Sequence, residues 1–352
     1  MSSVYLIFLS ALMLAVAGMP LVRWVGERSG FIAYPEARKI HQTPIPQIGG
    51  LAMLGGTLVA ILVFGEQYNV PQVVGILISA VWVSVVGAWD DKKPLRPLIK
   101  MSGQLVAAIL LIIAGVQVTF LPYPWLNWVV TILWILGITN AINFLDNMDG
   151  LSGGITAVAA AFFMLMAIRT GQYLVASLSA ALLGVSLGFL VYNFNPASIF
   201  MGDSGSLFLG LMLAAVGIKL RFPTQSPIIT WMIPVLVLGV AIFDMTLVVF
   251  SRLRRGLNPL TSPGTDHTSH RLVRLGYTHR EAVMGLYLIG GVLGLIALLI
   301  VESDRLAAYT ILVLVGLAAL VGLWHLERIP LTTFPSQKER TMTHVTTGPQ
   351  DR

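Results

Sequence analysis

Apolar runs of helical length alternate with short polar breaks along almost the whole chain. They fall at 4–20, 49–65, 72–89, 101–119, 126–143, 153–168, 173–191, 204–219, 228–250, 282–300 and 307–324. Each is close to the about 20 residues that carry a helix across roughly 30 Å of hydrocarbon. The pattern predicts an all-α polytopic integral membrane protein of about eleven transmembrane helices. The run at 204–219 is short and the one at 126–143 ends in polar residues, so tilting or partial re-entry is expected of either. The first run, up to Met19, has no basic segment before it and reads as a retained first span. Past residue 329 the chain is Thr, Pro, Gln and charge without apolar period, which predicts a disordered cytoplasmic tail over 329–352 behind one membrane domain, 1–328.

Composition agrees with the pattern. Of 352 residues 56% are hydrophobic and 11% charged, whereas a soluble domain carries about 25% charge. The absence of cysteine excludes disulfides and a thiolate zinc site. The net charge of +6 does not indicate a nucleic-acid partner, because its distribution follows the membrane. With the N-terminus outside, the inner segments are 20–48, 90–100, 144–152, 192–203, 251–281 and the tail. These hold every Lys and Arg except Arg169, Lys219, Arg221 and Arg305. Such a bias places the C-terminus and those loops in the cytoplasm of a multi-pass cell-membrane protein.

That topology sorts the polar motifs. Asp90-Asp91, the stretch Asn143 to Gly150 with Asp146 and Asp149, Gly202-Asp203-Ser204-Gly205-Ser206, and a loop with His267 and His270 all face the same inner side. Carboxylates beside lipid are costly, and a divalent metal holding phosphates explains their gathering. The pair Asp90-Asp91 precedes Lys92, Lys93, Arg96 and Lys100. A solvated helix end is the plain alternative, but the negatives lie nearest the membrane. Magnesium takes carboxylate and phosphate oxygens and keeps waters, and the basic residues suit phosphate. Lys100 opens span four, within reach of the headgroup level. Asn143, Asp146 and Asp149 recur three apart, one face of a continuing helix; capping explains one of the aspartates but not both.

Gly202 to Ser206 is not a serine-protease loop, since no triad partners are placed for it. As the start of span eight it offers backbone N–H groups for phosphate while Asp203 holds the metal. Asn193 and Phe200 upstream suit a base pocket, with core packing the alternative for Phe200. Asp244, inside span nine, suits support of the site better than chemistry. His267 and His270 lack a third zinc ligand and fit a diphosphate equally well beside Arg252 and Arg271. Lys39 and His41 sit in the other sizeable inner loop, where His41 also fits a structural role. His279, His325 and His344 stand without a constellation. Gly285, Gly290, Gly291 and Gly294 suit close helix contacts, within one subunit or across a homodimer.

In order along the chain, these motifs resemble those of the polyprenyl-phosphate N-acetylhexosamine-1-phosphate transferases. That family includes the undecaprenyl-phosphate GlcNAc-1-phosphate transferases and, more distantly, the phospho-MurNAc-pentapeptide translocase. Lys39-Ile-His41 through Gly50 is similar to its first cytoplasmic motif, and Asp90-Asp91 with Lys100 to its Asp-Asp motif. Asn143 to Ser152 is similar to the third signature. Asn193 to Ser206 resembles the fourth, whose aspartate, Asp203 here, ligates magnesium. Phe243-Asp244-Met245-Thr246 resembles the span-nine motif of the GlcNAc branch. That branch carries a His-x-His-His pattern where this chain has Ser269 in the third position.

The resemblance implies that a UDP-amino sugar, UDP-GlcNAc foremost, gives its sugar 1-phosphate to undecaprenyl phosphate, releasing UMP and initiating cell-envelope glycan synthesis. Another UDP-amino sugar or UDP-MurNAc-pentapeptide is the alternative donor. It implies magnesium on Asp203 with Asp91, manganese being able to substitute. Lys100 and the loop cations would hold incoming phosphate, and Asp90, Asp91, Asp146 and Asp149 would be the catalytic carboxylates. Asp90 or Asp91 would orient or deprotonate the lipid phosphate. That phosphate is already largely a dianion at neutral pH (pKa about 6), so direct attack is favoured over an aspartyl-phosphate. A transporter is the rival class, but it would hold its polar groups near the midplane between broken helices.

Overall fold

A computed structural model of the chain describes residues 2–34, 43–65, 70–259, 261–262 and 264–330. Lys39, His41 and the expected tail from residue 331 lie outside them. The described residues form α1 (Ser2–Ser29), the two-residue strands β1 (Ile32–Ala33) and β2 (Ile45–Pro46), α2 (Gly49–Phe64), α3 (Val70–Lys92), α4 (Pro97–Ile113), α5 (Pro124–Leu145) and α6 (Leu151–Arg169). The series continues with α7 (Tyr173–Asn193), α8 (Gly202–Lys219), α9 (Pro227–Val237), α10 (Gly239–Arg254), α11 (Thr268–Arg274), α12 (His279–Glu302) and α13 (Arg305–Glu327). The strands pair antiparallel, Ile32 opposite Pro46.

Eight of these helices are long and apolar enough to cross a membrane, or nine if α9 and α10 count as one broken span. The shorter apolar helices α2 and α4 occupy two more of the expected runs. The differences from expectation have local causes. Helix α1 continues past the end of its apolar run to Ser29, its polar end closed by an Arg23–Glu27 pair one turn apart. Helix α4 stops early, followed by Gly115 at φ 77°, a conformation that glycine adopts without penalty. The expected continuous span over 228–250 bends by 77° between α9 and α10. Pro234 and Gly239 flank that break; the one lacks an N–H and the other a side chain, the usual sources of a sharp kink.

The bundle is organised around α8. Every residue from Ser204 to Ile218 is buried, so this helix is apolar all round because it meets protein on all sides. Helices α2, α3 and α5 surround it. Their approach depends on absent side chains: a Cβ on Gly50 would lie 2.2 Å from the Gly205 nitrogen, and one on Gly87 would lie 2.4 Å from the Asp203 carbonyl oxygen. Gly294 serves the same purpose between α12 and α6, with the Phe162 ring against it, whereas a Cβ on Gly290 would find ordinary contacts and Gly285 and Gly291 face open space. A Gly50→Ala substitution is expected to lower stability by about 1–3 kcal/mol, because backbone rather than a movable side chain fills the space. Thermal unfolding in detergent measures it; an unchanged midpoint would contradict this packing.

Candidate active site

The N-terminus of α8 is where the separated motifs meet. Gly202 turns into the helix at φ 68°, and a side chain there would strike the Asp91 carboxylate, 2.5 Å away. Asp91, at the end of α3, accepts hydrogen bonds from the backbone N–H groups of Asp203 (2.7 Å) and Ser204 (3.0 Å). Two of the donors that a helix start leaves unpaired are thus capped from another helix. These N–H groups, expected to face phosphate, are occupied, and Asp91 is engaged through both oxygens. The strand connection seals the same corner. Gly49 and Gly50 donate from their backbones to the carbonyls of Phe200 and Met201, at 2.9 and 3.0 Å. The side-chain amide of Gln47 donates to the Asp91 carbonyl at 3.1 Å.

Asp203 projects from the first turn of α8. It pairs with Lys100 of α4 and accepts a hydrogen bond from the Asn143 amide of α5 at 2.8 Å. The Asn143 amide also donates to Ser206 Oγ at 2.8 Å. Lys100 therefore points inward rather than to the headgroups, reaching Asp90 at 3.3 Å and Asn143 Oδ1 at 3.4 Å as well. Asp90 additionally accepts from the Leu95 N–H at 2.6 Å. Three motifs far apart in sequence thus meet at one ammonium group. One turn deeper, Gln104 of α4 and Asn140 of α5 exchange amide hydrogen bonds of 3.3 and 2.6 Å. This half-buried pair, unmarked in the sequence, fixes the register that brings Lys100 to Asn143.

Helix α5 ends at Leu145, so Asn143, Asp146 and Asp149 do not continue along one helical face. Gly150, at φ 78°, turns the chain into α6. Asp149 accepts from the Asn195 amide and the Ala197 N–H, both at 3.0 Å, while the Asn193 side chain accepts from the Gly150 N–H at 2.9 Å. Asn193 thus braces the turn and is itself buried. Tyr287 of α12 donates its hydroxyl to the Gly150 carbonyl, across a spot that only glycine at 154 leaves open.

The cleft above, about 370 Å³, is lined by Asp91, Asp146, Asp149 and Asp203, with Phe200 and His270 on its walls. Among the described residues, the Asp146 carboxylate has no hydrogen-bond or ion-pair partner, and Lys100 pairs with Asp203 of the four. Burial, then the charges of Asp203, Asp91 and Asp149, push Asp146 up to about 8. No three His, Asp or Glu side chains converge as a closed metal cage among the described residues. An unpartnered carboxylate in a cleft of excess negative charge fits magnesium instead, which binds through one or two carboxylates and takes the rest of its shell from phosphate and water.

The histidine loop forms the facing wall. Asp244 is buried in α10 and holds His267 Nδ1 at 2.8 Å and the Thr268 N–H at 2.6 Å, a support role as expected. Ser269, where the family pattern has histidine, donates to Asn147 Oδ1 at 2.7 Å and ties the loop to the aspartate turn. His270 alone of the two imidazoles faces the cleft, and burial, then His267, push it down to about 4, so it is neutral near pH 7. Arg252 is bound to Asp266 through two bonds of 2.9 Å. Burial raises the Asp266 carboxyl, but the hydrogen bonds and charge of Arg252 outweigh it and bring it down to about 2. Arg271 is fully buried, all its donated bonds going to protein. Both arginines, expected on substrate, are thereby placed behind the loop.

Residues 73–221 match the family model described as glycosyl transferase family 4. The chain is 34% identical to the probable undecaprenyl-phosphate N-acetylglucosaminyl 1-phosphate transferase of Bacillus subtilis, over 93% of this chain and 94% of that protein. It is 33% identical to the decaprenyl-phosphate N-acetylglucosaminephosphotransferase of Mycobacterium leprae, over 82% and 81%. Identity to the undecaprenyl-phosphate alpha-N-acetylglucosaminyl 1-phosphate transferase of Escherichia coli K12 is 27%, over 84% and 83%.

Proposed function

We propose the following reading for a chain that belongs to the polyprenyl-phosphate N-acetylhexosamine-1-phosphate transferase family. It is a membrane phosphotransferase that moves N-acetylglucosamine 1-phosphate from UDP-N-acetylglucosamine to undecaprenyl phosphate, giving the lipid-diphosphate sugar and UMP. The observation that carries it is the convergence of Asp203, Lys100, Asn143 and Asp146 at one end of the bundle. Eleven spans with the N-terminus outside and the cleft open to the cytoplasm accord with the distribution of Lys and Arg. A transporter would hold such groups at the midplane.

In the reaction an oxygen of the lipid phosphate attacks the sugar-bearing phosphorus. A new P–O bond forms, the bond from that phosphorus to the bridging oxygen breaks, and the electron pair leaves with UMP. The attacking phosphate is a dianion and needs no base, which favours direct attack. A magnesium ion held by Asp203 with Asp146 would neutralise diphosphate charge as that bond breaks. Lys100 holds Asp203 in place and adds positive charge beside the reacting phosphates. Asn143 fixes the Asp203 rotamer, Asp149 holds the floor of the cleft, and Phe200 and neutral His270 border the nucleotide.

The test is UMP release from a panel of UDP-sugars with undecaprenyl phosphate. UDP-N-acetylglucosamine should be the substrate, and release that does not require the lipid would refute the reading. Asp146 adds a pH signature. Its folded pKa of about 8 lies above the unfolded value of 3.8, so its contribution to stability is complete below about pH 4 and is lost as pH rises through about 8. With EDTA, the wild type should lose more thermal stability than Asp146→Asn between about pH 4 and pH 8. Added magnesium should remove the difference; parallel profiles with EDTA would contradict the assignment.

A further inference from the structure

Helix α13 buries almost nothing. Of its 23 residues only Ala308 and Glu327 are buried, and an apolar cavity of about 610 Å³ separates it from parts of α9, α10 and α12. Core packing therefore does not explain how its inner end is placed. A carboxylate in the last turn also opposes the helix dipole. Glu327 is nevertheless 8% exposed. Its two oxygens take Arg271 at 2.9 Å and Arg254 at 3.0 Å.

The Arg271 guanidinium is the hub of this contact. It donates to the Asp266 carbonyl at 2.9 Å, Ser251 Oγ of α10 at 2.9 Å, the Leu326 carbonyl of α13 at 2.6 Å, and Glu327. One residue before Arg271 stands His270, which faces the cleft; Asp266, held by Arg252 and Arg255, opens the same turn. The end of α13 thus meets the back of the loop whose front borders the substrate cleft.

We propose that Glu327 is a positioning residue, and that α13 serves to clamp the histidine loop against the nucleotide end of the cleft. The inference rests on the transferase reading for its kinetic form. Without Glu327 the buried guanidinium loses its counter-charge, and the turn from Asp266 to Arg271 loses its fixed anchor. The carboxylates around Asp203 stand on α3, on α8 and just past the end of α5, and with Lys100 of α4 they keep their contacts.

The test compares full-length wild type with Glu327→Ala, Glu327→Gln and Glu327→Asp in detergent. The KM for the nucleotide sugar should rise on the order of tenfold in Glu327→Ala, the scale seen when an orienting partner behind a binding group is lost. The KM for polyprenyl phosphate should stay unchanged, and Glu327→Asp should recover most of the loss. Amide hydrogen exchange over residues 264–274 should quicken in Glu327→Ala while the start of α8 stays protected. A lower kcat at unchanged KM, tracking the amount of folded protein, would reduce Glu327 to a stability role and overturn the proposal. Unchanged exchange in the loop would overturn it as well. A wild type without UMP release would refute the transferase reading, while the exchange experiment would still decide the clamp.

Discussion

Asp203→Ala is expected to lower UMP release by roughly a thousandfold or more, the scale on which removal of a preorganised electrostatic group acts in a site shielded from water. The reason is the number of contacts that one carboxylate organises. It holds Lys100 of α4 and the Asn143 amide of α5, and it faces Asp146 across the cleft. On the proposed reading its loss removes a cation ligand, and it also frees Lys100 and Asn143 from their rotamers. The magnesium concentration for half-maximal activity should rise in the residual activity. Asp203→Asn keeps the shape and the bond to Asn143, so it separates charge from packing. If Asp203→Asn retained wild-type turnover, the carboxylate would have no part in holding the cation.

Lys100→Met is expected to be the second largest loss, about a hundredfold in kcat. On the proposed reading it removes a cation that adds to transition-state charge but leaves the metal site in place. The side chain is half enclosed between Asp90, Asp203 and Asn143, and methionine fills the same space without charge. The sign of the metal effect distinguishes this variant from Asp203→Ala. Without the ammonium the cleft is more negative, so magnesium should bind as tightly as in the wild type or more tightly. A raised magnesium requirement in Lys100→Met would mean that Lys100 shapes the metal site instead of facing phosphate.

Much of the fold was legible because lipid imposes it. Each apolar run coincides with a helix, or with the bent pair α9 and α10, since a backbone in hydrocarbon must satisfy its own hydrogen bonds. The ends were less legible. A run of hydropathy does not report the polar continuation of α1 to Ser29 or the stop at Gly115, and Pro234 with Gly239 passed as part of one span. The residue types of the site could be read from carboxylates placed where lipid makes them costly. Their pairings could not. Nothing local indicates that Asp91 caps α8, that Lys100 turns inward, or that Arg271 lies behind its loop instead of on substrate. Gln104 and Asn140 look like single polar interruptions until α4 and α5 lie side by side. Glu327 did carry a signal, an acidic residue at the end of a helix that disfavours it, but its partner Arg271 lies 56 positions away.

On the proposed reading one divalent cation sits between Asp203 and Asp146 at the start of α8. Anomalous diffraction from crystals grown with manganese and UDP-N-acetylglucosamine tests it most directly. One peak should lie within ligand distance of both carboxylates and of the nucleotide diphosphate. A peak elsewhere, or a diphosphate bound in the cleft with the manganese away from Asp203, would contradict it.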